Sequence, residues 1–343
     1  MVKKVRNQSF MKYVLGGYGA NNLGDEAIFE GLKQEFGEVI QIYVNKSSIP
    51  NSVWYADLLE NRYTFSPDAD ELIIGGGGLF HCRTAIIDDI LVADKALAAG
   101  LAVSIQGLGA EGLQDDYITE ARDLCNRCYR ISVRSIKSQT ILRDKLNVQS
   151  ELRRDFAYNL RDAEFTTIPS FNNDLPVIGL ITGGNTDRDG IEKISQIIKN
   201  CTVGDTVANF IHIPHSRAYV DSYNNDVVTG EIIWSNIEIY HASREARYKN
   251  ISFVSTPQRL LSVYRQVDAV IGFRYHSFVF SEITNKPLLG FISGLKSQAF
   301  FDDNVRAEVL GIPFNLPTEE LIAETQRFIV AIKNRNGDRN ECN

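Results

Sequence analysis

Nowhere does the chain approach the roughly 18 consecutive apolar residues that a membrane-spanning helix needs. Its opening, MVKKVRNQSFMKYVLGGYG, is basic, but the apolar part is too short for a secretory signal and breaks at glycines, so the chain is read as cytoplasmic. Cysteine is scarce. The five residues are odd in number and scattered, which fits reduced thiols and not a disulfide framework. Cys125 and Cys128 have CxxC spacing, but their expected place is the end of a helix over 115–129, where no helix start stabilises a thiolate. No second pair completes a zinc site. Positive charge is also short: 36 Lys and Arg against 43 Asp and Glu give a net charge of -7, which argues against nucleic acid as the main partner. Three familiar signatures are missing as well. There is no dinucleotide fingerprint GxGxxG, no P-loop Gly-Lys-Ser/Thr and no HExxH.

What the chain does have is length and alternation. Its 343 residues allow two domains, each with a full core. Strand and helix patterns alternate through the first half: strand 12–15, helix 25–36, strand 39–44, strand 71–74, helix 85–99, strand 102–106, helix 115–129, strand 131–133 and helix 135–146. A polar, turn-rich stretch over 161–174 marks the boundary, giving domains 1–165 and 166–343. The second half repeats the theme with strands 176–182, 206–213, 251–254, 269–272 and 288–291 and helices 190–200, 257–267, 277–284 and 318–333. Residues 218–241 read only as loop plus helix, and the tail 334–343 as a frayed end. Such a series predicts an α/β protein of two Rossmann-like domains with parallel open sheets, whose ligands bind at the carboxyl ends of the strands in a cleft between the facing domains.

The strand ends are where the unusual residues collect. Arg274, Tyr275 and His276 (GFRYHS) fall at a strand-to-helix turn, where free N–H groups and the positive end of the helix dipole receive anions. Lys296 follows the next strand and is a candidate phosphate or carboxylate ligand. Together these are parts suited to holding and protonating a small phosphorylated acid. Gly16–Ala27 (GGYGANNLGDEA) opens the first helix. There Asp25 reads either as a helix cap or, with Asn22, as a ligand for sugar hydroxyls and a base. Gly75–Gly78 needs either positive φ or a ligand lying on the backbone, and Gln106–Gly109 is a weaker version of the same theme. Arg134 lies at another strand-to-helix junction, as an anion clamp or an ordinary ion pair, and Asp155 either orients an arginine or binds acceptor hydroxyls. His215, past a strand end, is a candidate cleft residue, whereas His212 reads as a satisfied core histidine. Nothing gives His81 or His241 a role.

These motifs, taken in order (GGYGANNLGDEA, IIGGGG, SIQGLG, SVRS and GFRYHSFVFSEITNKPLLGF), resemble those of the polysaccharide pyruvyl transferase family. The resemblance implies a fold similar to two-domain glycosyltransferases of the B type, the GT-B fold. It also implies transfer of the enolpyruvyl unit of phosphoenolpyruvate onto two hydroxyls of a sugar, giving a cyclic ketal and phosphate, in exopolysaccharide or related polysaccharide biosynthesis. By that resemblance Arg274, Tyr275, His276 and Lys296, with Arg134, Gly76 and Gly77, form the phosphoenolpyruvate side, with His276 as the acid. Asn21, Asn22, Asp25, Asp155 and His215 form the acceptor side. Asn21 stands where relatives commonly have an aromatic, and Tyr275 where they have an aliphatic residue. No cofactor or metal is implied. The acceptor is a sugar, whether free, nucleotide-linked or lipid-linked, and a lipid-linked one would imply peripheral contact with the inner membrane surface. Two other readings stay open: a nucleotide-sugar glycosyltransferase, for which Glu282 is the only near ribose-binding carboxylate, and a non-catalytic sugar-binding protein.

Overall fold

The computed structural model of the chain describes residues 11–43, 52–160, 164–183, 187–202, 207–217, 225–238 and 247–341, with side chains to Asn336. It contains two compact units. One comprises residues up to Ala20 together with Asp25–Arg161, the other Asn21–Gly24 together with the chain from Asp162 onward.

The first unit is built from β1 (Met11–Leu15), α1 (Leu23–Phe36), β2 (Val39–Tyr43), β3 (Ser52–Trp54), α2 (Tyr55–Leu59), β4 (Ala69–Gly77), α3 (Arg83–Ala98), β5 (Ala102–Leu108), α4 (Ile118–Asn126), β6 (Arg130–Val133), α5 (Ile136–Ile141) and β7 (Glu151–Leu152). Its seven strands lie in the order β3-β2-β1-β4-β5-β6-β7, and every pairing is parallel. A parallel sheet is covered on both faces, so its central strands read as unbroken apolar runs. Leu72, Ile73 and Ile74 of β4 are all fully buried. Tyr13, Leu15, Ile42, Val103 and Ile105 join Leu72 and Ile74 in one core cluster with Ile86, Val92 and Ala96 of α3.

The second unit contains β8 (Val177–Ile181), α6 (Arg188–Cys201), β9 (Asn209–His212), α7 (Asp226–Glu238), β10 (Tyr248–Asn250), α8 (Pro257–Gln266), β11 (Ala269–Gly272), α9 (Tyr275–Ile283), β12 (Leu288–Ile292), α10 (Leu295–Asp303), β13 (Val309–Pro313) and α11 (Thr318–Glu341). Its order is β10-β9-β8-β11-β12-β13, again wholly parallel. Local chemistry sets the helix starts. Asp187 accepts the Gly190 N–H at 2.8 Å to cap α6, and Thr256 caps α8 ahead of Pro257. Ile178, Leu180, Phe210, Ile271 and Leu289 form the core with the apolar face of α6.

Both sheets therefore have the doubly wound order, in which the direction of winding reverses beside the first strand. That switch point opens a crevice at the strand carboxyl ends, the general ligand position of such folds. In the first unit it lies between β1 and β4, in the second between β8 and β11. The Gly-rich segments and GFRYHS follow directly from those strands.

The structure departs from the sequence expectation in several elements. Strand β4 continues through Gly77 instead of ending at Ile74. Gly76 and Gly77 take φ values of 74° and 92°. At Gly76 a Cβ would also drive into the Ile28 side chain, so α1 packs on the strand at a place only glycine allows. The strand expected at 251–254 lies at Tyr248–Asn250, and the tail expected to fray stays helical to Glu341. Short elements β3, α2, α10 and β13 had no separate signal. His241 and parts of the patternless stretch 218–241 lie outside the described residues. Among the described residues, no helix is long and apolar enough to cross a membrane.

Candidate functional site

In the second unit, β11 is buried throughout and delivers the chain to the start of α9. Arg274 occupies the N-cap position with extended backbone, and the Ser277 N–H donates to its carbonyl at 2.9 Å. The Arg274 guanidinium is held as a fork: Nε donates to Asp226 Oδ2 at 2.9 Å and Nη2 to Oδ1 at 2.7 Å. Asp226 begins α7 and is wholly buried. Its Oδ2 also accepts the N–H groups of His215 and Ser216, each at 2.9 Å. Two of the five guanidinium donors are thus committed, and the Arg274 side chain remains 16% exposed.

His276 sits in the first turn of α9, nearly buried, with its ring edge-on to Tyr275 at 5.3 Å. Lys296 lies in the first turn of α10, its ammonium 5.3 Å from the centre of the same tyrosine ring. One tyrosine therefore contacts both the imidazole and the lysine. Asn21–Gly24 belongs to this unit too. Asn22 forms an antiparallel bridge with Ser216, the Leu23 N–H donates to His215 O at 2.8 Å and the Arg217 N–H to Asn21 O at 3.0 Å. A Cβ on Gly24 would lie deep inside the His276 imidazole, so the bare backbone there is what lets the ring take its place. Four of the sequence-chosen residues of the donor side (Arg274, Tyr275, His276 and Lys296) and three of the acceptor side (Asn21, Asn22 and His215) thus belong to one unit.

His215 does not line a surface. It is fully buried, its Nε2 is 2.8 Å from the Tyr264 hydroxyl, and it packs against Tyr264 and Phe280. Burial, with the charges of Arg274 and His276, holds its pKa well below the ordinary histidine value, so it is neutral near pH 7. His212 is the satisfied core histidine the sequence suggested, with Nε2 3.1 Å from Thr182 Oγ1. Burial above all pushes its pKa down to about 4. The folded value lies below the unfolded value of about 6.5, so the unfolded state takes up the proton first. Stability is complete above pH 6.5 and is lost as the pH falls towards 4. On moving from pH 7.5 to pH 5 this one histidine withdraws about 2 kcal/mol. Urea midpoints at the two pH values are expected to differ accordingly, and equal midpoints would contradict the neutral buried ring.

Helix α1 starts at Leu23, with Asn22 capping it through Oδ1 to the Gly24 N–H at 3.2 Å, and enters the first unit at Asp25. The cap is Asn22 and not Asp25. Asp25 lies one step further, and its carboxylate faces the bare backbones of Gly17 and Gly77: an added Cβ would stand 3.7 Å and 3.6 Å from its oxygens. Two glycine-bearing strand ends therefore leave room around this carboxylate at the switch point. Its neighbour Glu26, not singled out from sequence, accepts the Gly19 N–H at 2.6 Å, and burial, with Asp25 adding, pushes its pKa up to about 7. The only sequence signal for it was adjacency to Asp25.

Arg134 and Asp155 pair with each other at 3.0 Å, both side chains essentially without solvent exposure. Asp155 also caps the short 3-10 turn Phe156–Asn159 through the Ala157 N–H. Burial raises the neighbouring Glu111, but the Arg134 charge and the Ser135 and Ser138 hydroxyls outweigh it and hold that carboxyl below its ordinary value. The expectation of an anion clamp at Arg134 thus meets a cation enclosed between two carboxylates, because β6 brings it into the sheet's interior edge. The CxxC pair is not poised for redox work. Burial pushes the Cys125 thiol up, and Cys128 up to about 12. Among the described residues, no group of three or more His, Cys, Asp or Glu is placed to hold a metal ion.

Solved structures share the doubly wound, two-unit α/β class. Anabaena HepE in complex with UDP-glucose matches with a TM-score of 0.60 at 12% identity, covering 97% of this chain and 100% of that one. A Listeria monocytogenes protein assigned as a UDP-N-acetylglucosamine 2-epimerase matches with a TM-score of 0.63 at 8% identity, covering 93% and 88%. The Neisseria meningitidis UDP-GlcNAc 2-epimerase bound to UDP-GlcNAc matches at 0.56 and 9%, covering 93% and 91%. At such identities the likeness shows the fold alone, the two-domain Rossmann-like architecture of the B-type glycosyltransferases. The polysaccharide pyruvyl transferase family model matches residues 22–293, and the chain belongs to that family. No curated protein matches the chain by sequence.

Proposed function

We propose that the chain transfers the enolpyruvyl unit of phosphoenolpyruvate to two hydroxyls of a sugar in a polysaccharide or glycan precursor, forming a pyruvate ketal and releasing phosphate. The observation that carries this reading is the start of α9. There a forked arginine caps α9, and the helix's first turn carries an imidazole and a tyrosine whose ring also meets the lysine of the next helix start. A carboxylate plus a phosphate is an anion that such a set recognises. In this scheme His276, as imidazolium, gives a proton to the methylene carbon and leaves an oxocarbenium-like centre. A sugar hydroxyl adds to that centre and passes its proton to Asp25. The C–O bond to phosphate then breaks, phosphate departs with the bonding pair and an oxocarbenium-like centre re-forms, and the second hydroxyl closes the ring as its proton passes to the now neutral His276. Asn21 and Asn22 are the proposed ligands of the acceptor hydroxyls. Arg134 and Asp155, enclosed as they are, are proposed to shape the first unit's strand ends and not to touch the anion directly. No cofactor enters, and a cytoplasmic donor fits the cytoplasmic placement read from the sequence.

The nucleotide-sugar reading has one supporting observation, the UDP and UDP-sugar ligands of the solved structures of like fold. Against it, Glu282 is nearly buried and pairs with Arg306, which removes the only near ribose-binding carboxylate. UDP-linked sugars therefore belong among the acceptors to be tried. The test is phosphate release from phosphoenolpyruvate with a panel of free, nucleotide-linked and lipid-linked sugars. Release that depends on one acceptor, with an acid-labile pyruvylated product, is the expected result. Sugar transfer from a nucleotide donor, without phosphate release, would replace this reading with the glycosyltransferase one.

A further inference from the structure

Asp226 lies in a stretch without any recognisable motif, yet its carboxylate joins two distant segments, Arg274 and the 215–216 turn. It accepts the Arg274 fork, at 2.9 and 2.7 Å. It accepts the backbone N–H groups of His215 and Ser216, while its own N–H donates to Ser216 O at 2.9 Å. The 215–217 turn in turn holds Asn21–Leu23 through the Leu23 and Arg217 N–H groups and the Asn22–Ser216 bridge. The ring closes at Gly24, whose bare Cα lies against the imidazole of His276, two residues from Arg274.

From this closed circuit we propose that Asp226 is a positioning residue. It sets the donor-side arginine and the acceptor-side Asn21–Asn22 segment in one fixed register. This rests on the pyruvyl-transfer reading of the site. The physical argument is one of sign. If Asp226 were only a counter-charge, it would weaken anion binding, since it neutralises a cation the ligand needs. Removing it would then leave phosphoenolpyruvate bound as tightly or more tightly. A carboxylate that orients a planar fork does the reverse. It uses two guanidinium donors, aims the others, and spares the ligand the entropy of ordering a long side chain. Two backbone N–H groups on the same oxygen show that the carboxylate is itself held in place.

The Asp226→Asn variant separates the two cases. An amide oxygen in the place of Oδ2 can keep the His215 and Ser216 N–H bonds and Arg274 Nε, but the NH2 in the place of Oδ1 meets Nη2 donor to donor and breaks the fork to a single bond. The expected result is a phosphoenolpyruvate dissociation constant raised about 10-fold or more in equilibrium dialysis, together with faster amide exchange at Leu23 and Arg217. An unchanged or lowered dissociation constant would overturn the proposal, and so would unchanged exchange at both amides. If the wild-type chain does not bind phosphoenolpyruvate, the pyruvyl-transfer reading fails, while the exchange comparison still decides the register. Should Asp226→Asn not fold, Arg274→Lys keeps the charge and the carboxylate but loses the fork. It is expected to weaken binding to a similar extent, and wild-type affinity in that variant would equally contradict the proposal.

Discussion

Replacing His276 by alanine lowers turnover by roughly 100-fold or more, in the range for a lost general acid, and leaves phosphoenolpyruvate binding largely intact. The reasoning is geometric. The imidazole is nearly buried, held between the Tyr275 ring and the Gly24 backbone, so its direction is set before any ligand arrives. A group held this way is arranged for a proton transfer in one direction more than for capturing charge. The anion keeps Arg274, Lys296 and the α9 start. The expected signature is therefore a loss in kcat with little change in the phosphoenolpyruvate KM. A His276→Ala enzyme with near-normal turnover would take the histidine out of the proton transfer.

Replacing Arg274 by alanine has the second large effect, on two readouts together. Asp226 is wholly buried, and its Arg274 partner only 16% exposed. Removing one partner of such a pair leaves a charge without its counter-ion, at a cost of about 3–5 kcal/mol. The two backbone N–H groups that remain on Oδ2 place the expectation near the lower end of that range. Phosphoenolpyruvate affinity falls by about 100-fold in the same variant, the size of a lost charge-assisted contact of about 3 kcal/mol. Denaturant unfolding and a binding isotherm measured on one preparation give both numbers. A stability loss with unchanged affinity would make Arg274 a structural residue. Unchanged stability with lost affinity would deny that the Asp226 pair matters to the fold.

Much of this was legible because the two sheets place their chemistry where doubly wound folds always do. Gly75–Gly77 close the buried strand β4, Arg274–His276 come just after buried β11, and a strand-to-helix turn is visible as a change of period. The parts that were not legible share a cause: they depend on contacts distant in the chain. Asp226 is 48 residues from the arginine it holds, in a segment without periodicity. Arg134 looks like any basic residue at a strand end until Asp155 and Glu111 enclose it. His215 follows a strand and a proline, a pattern that suggests exposure, but Tyr264 of α8 and Phe280 of α9 close over it. Strand β4 hid Gly75, Gly76 and Gly77, because a glycine run, two of its members at positive φ, reads as a turn even where the ladder continues. Burial of a polar group is a property of the fold and not of the segment, and it decided each of these cases.

Titrating the intact chain with phosphoenolpyruvate and, separately, with UDP in a calorimeter tests the central claim most directly. Saturable binding of phosphoenolpyruvate is expected, abolished or strongly weakened by Arg274→Ala, with a weaker response or none to UDP. Tight UDP binding with no heat from phosphoenolpyruvate, before or after an acceptor sugar is added, would contradict it.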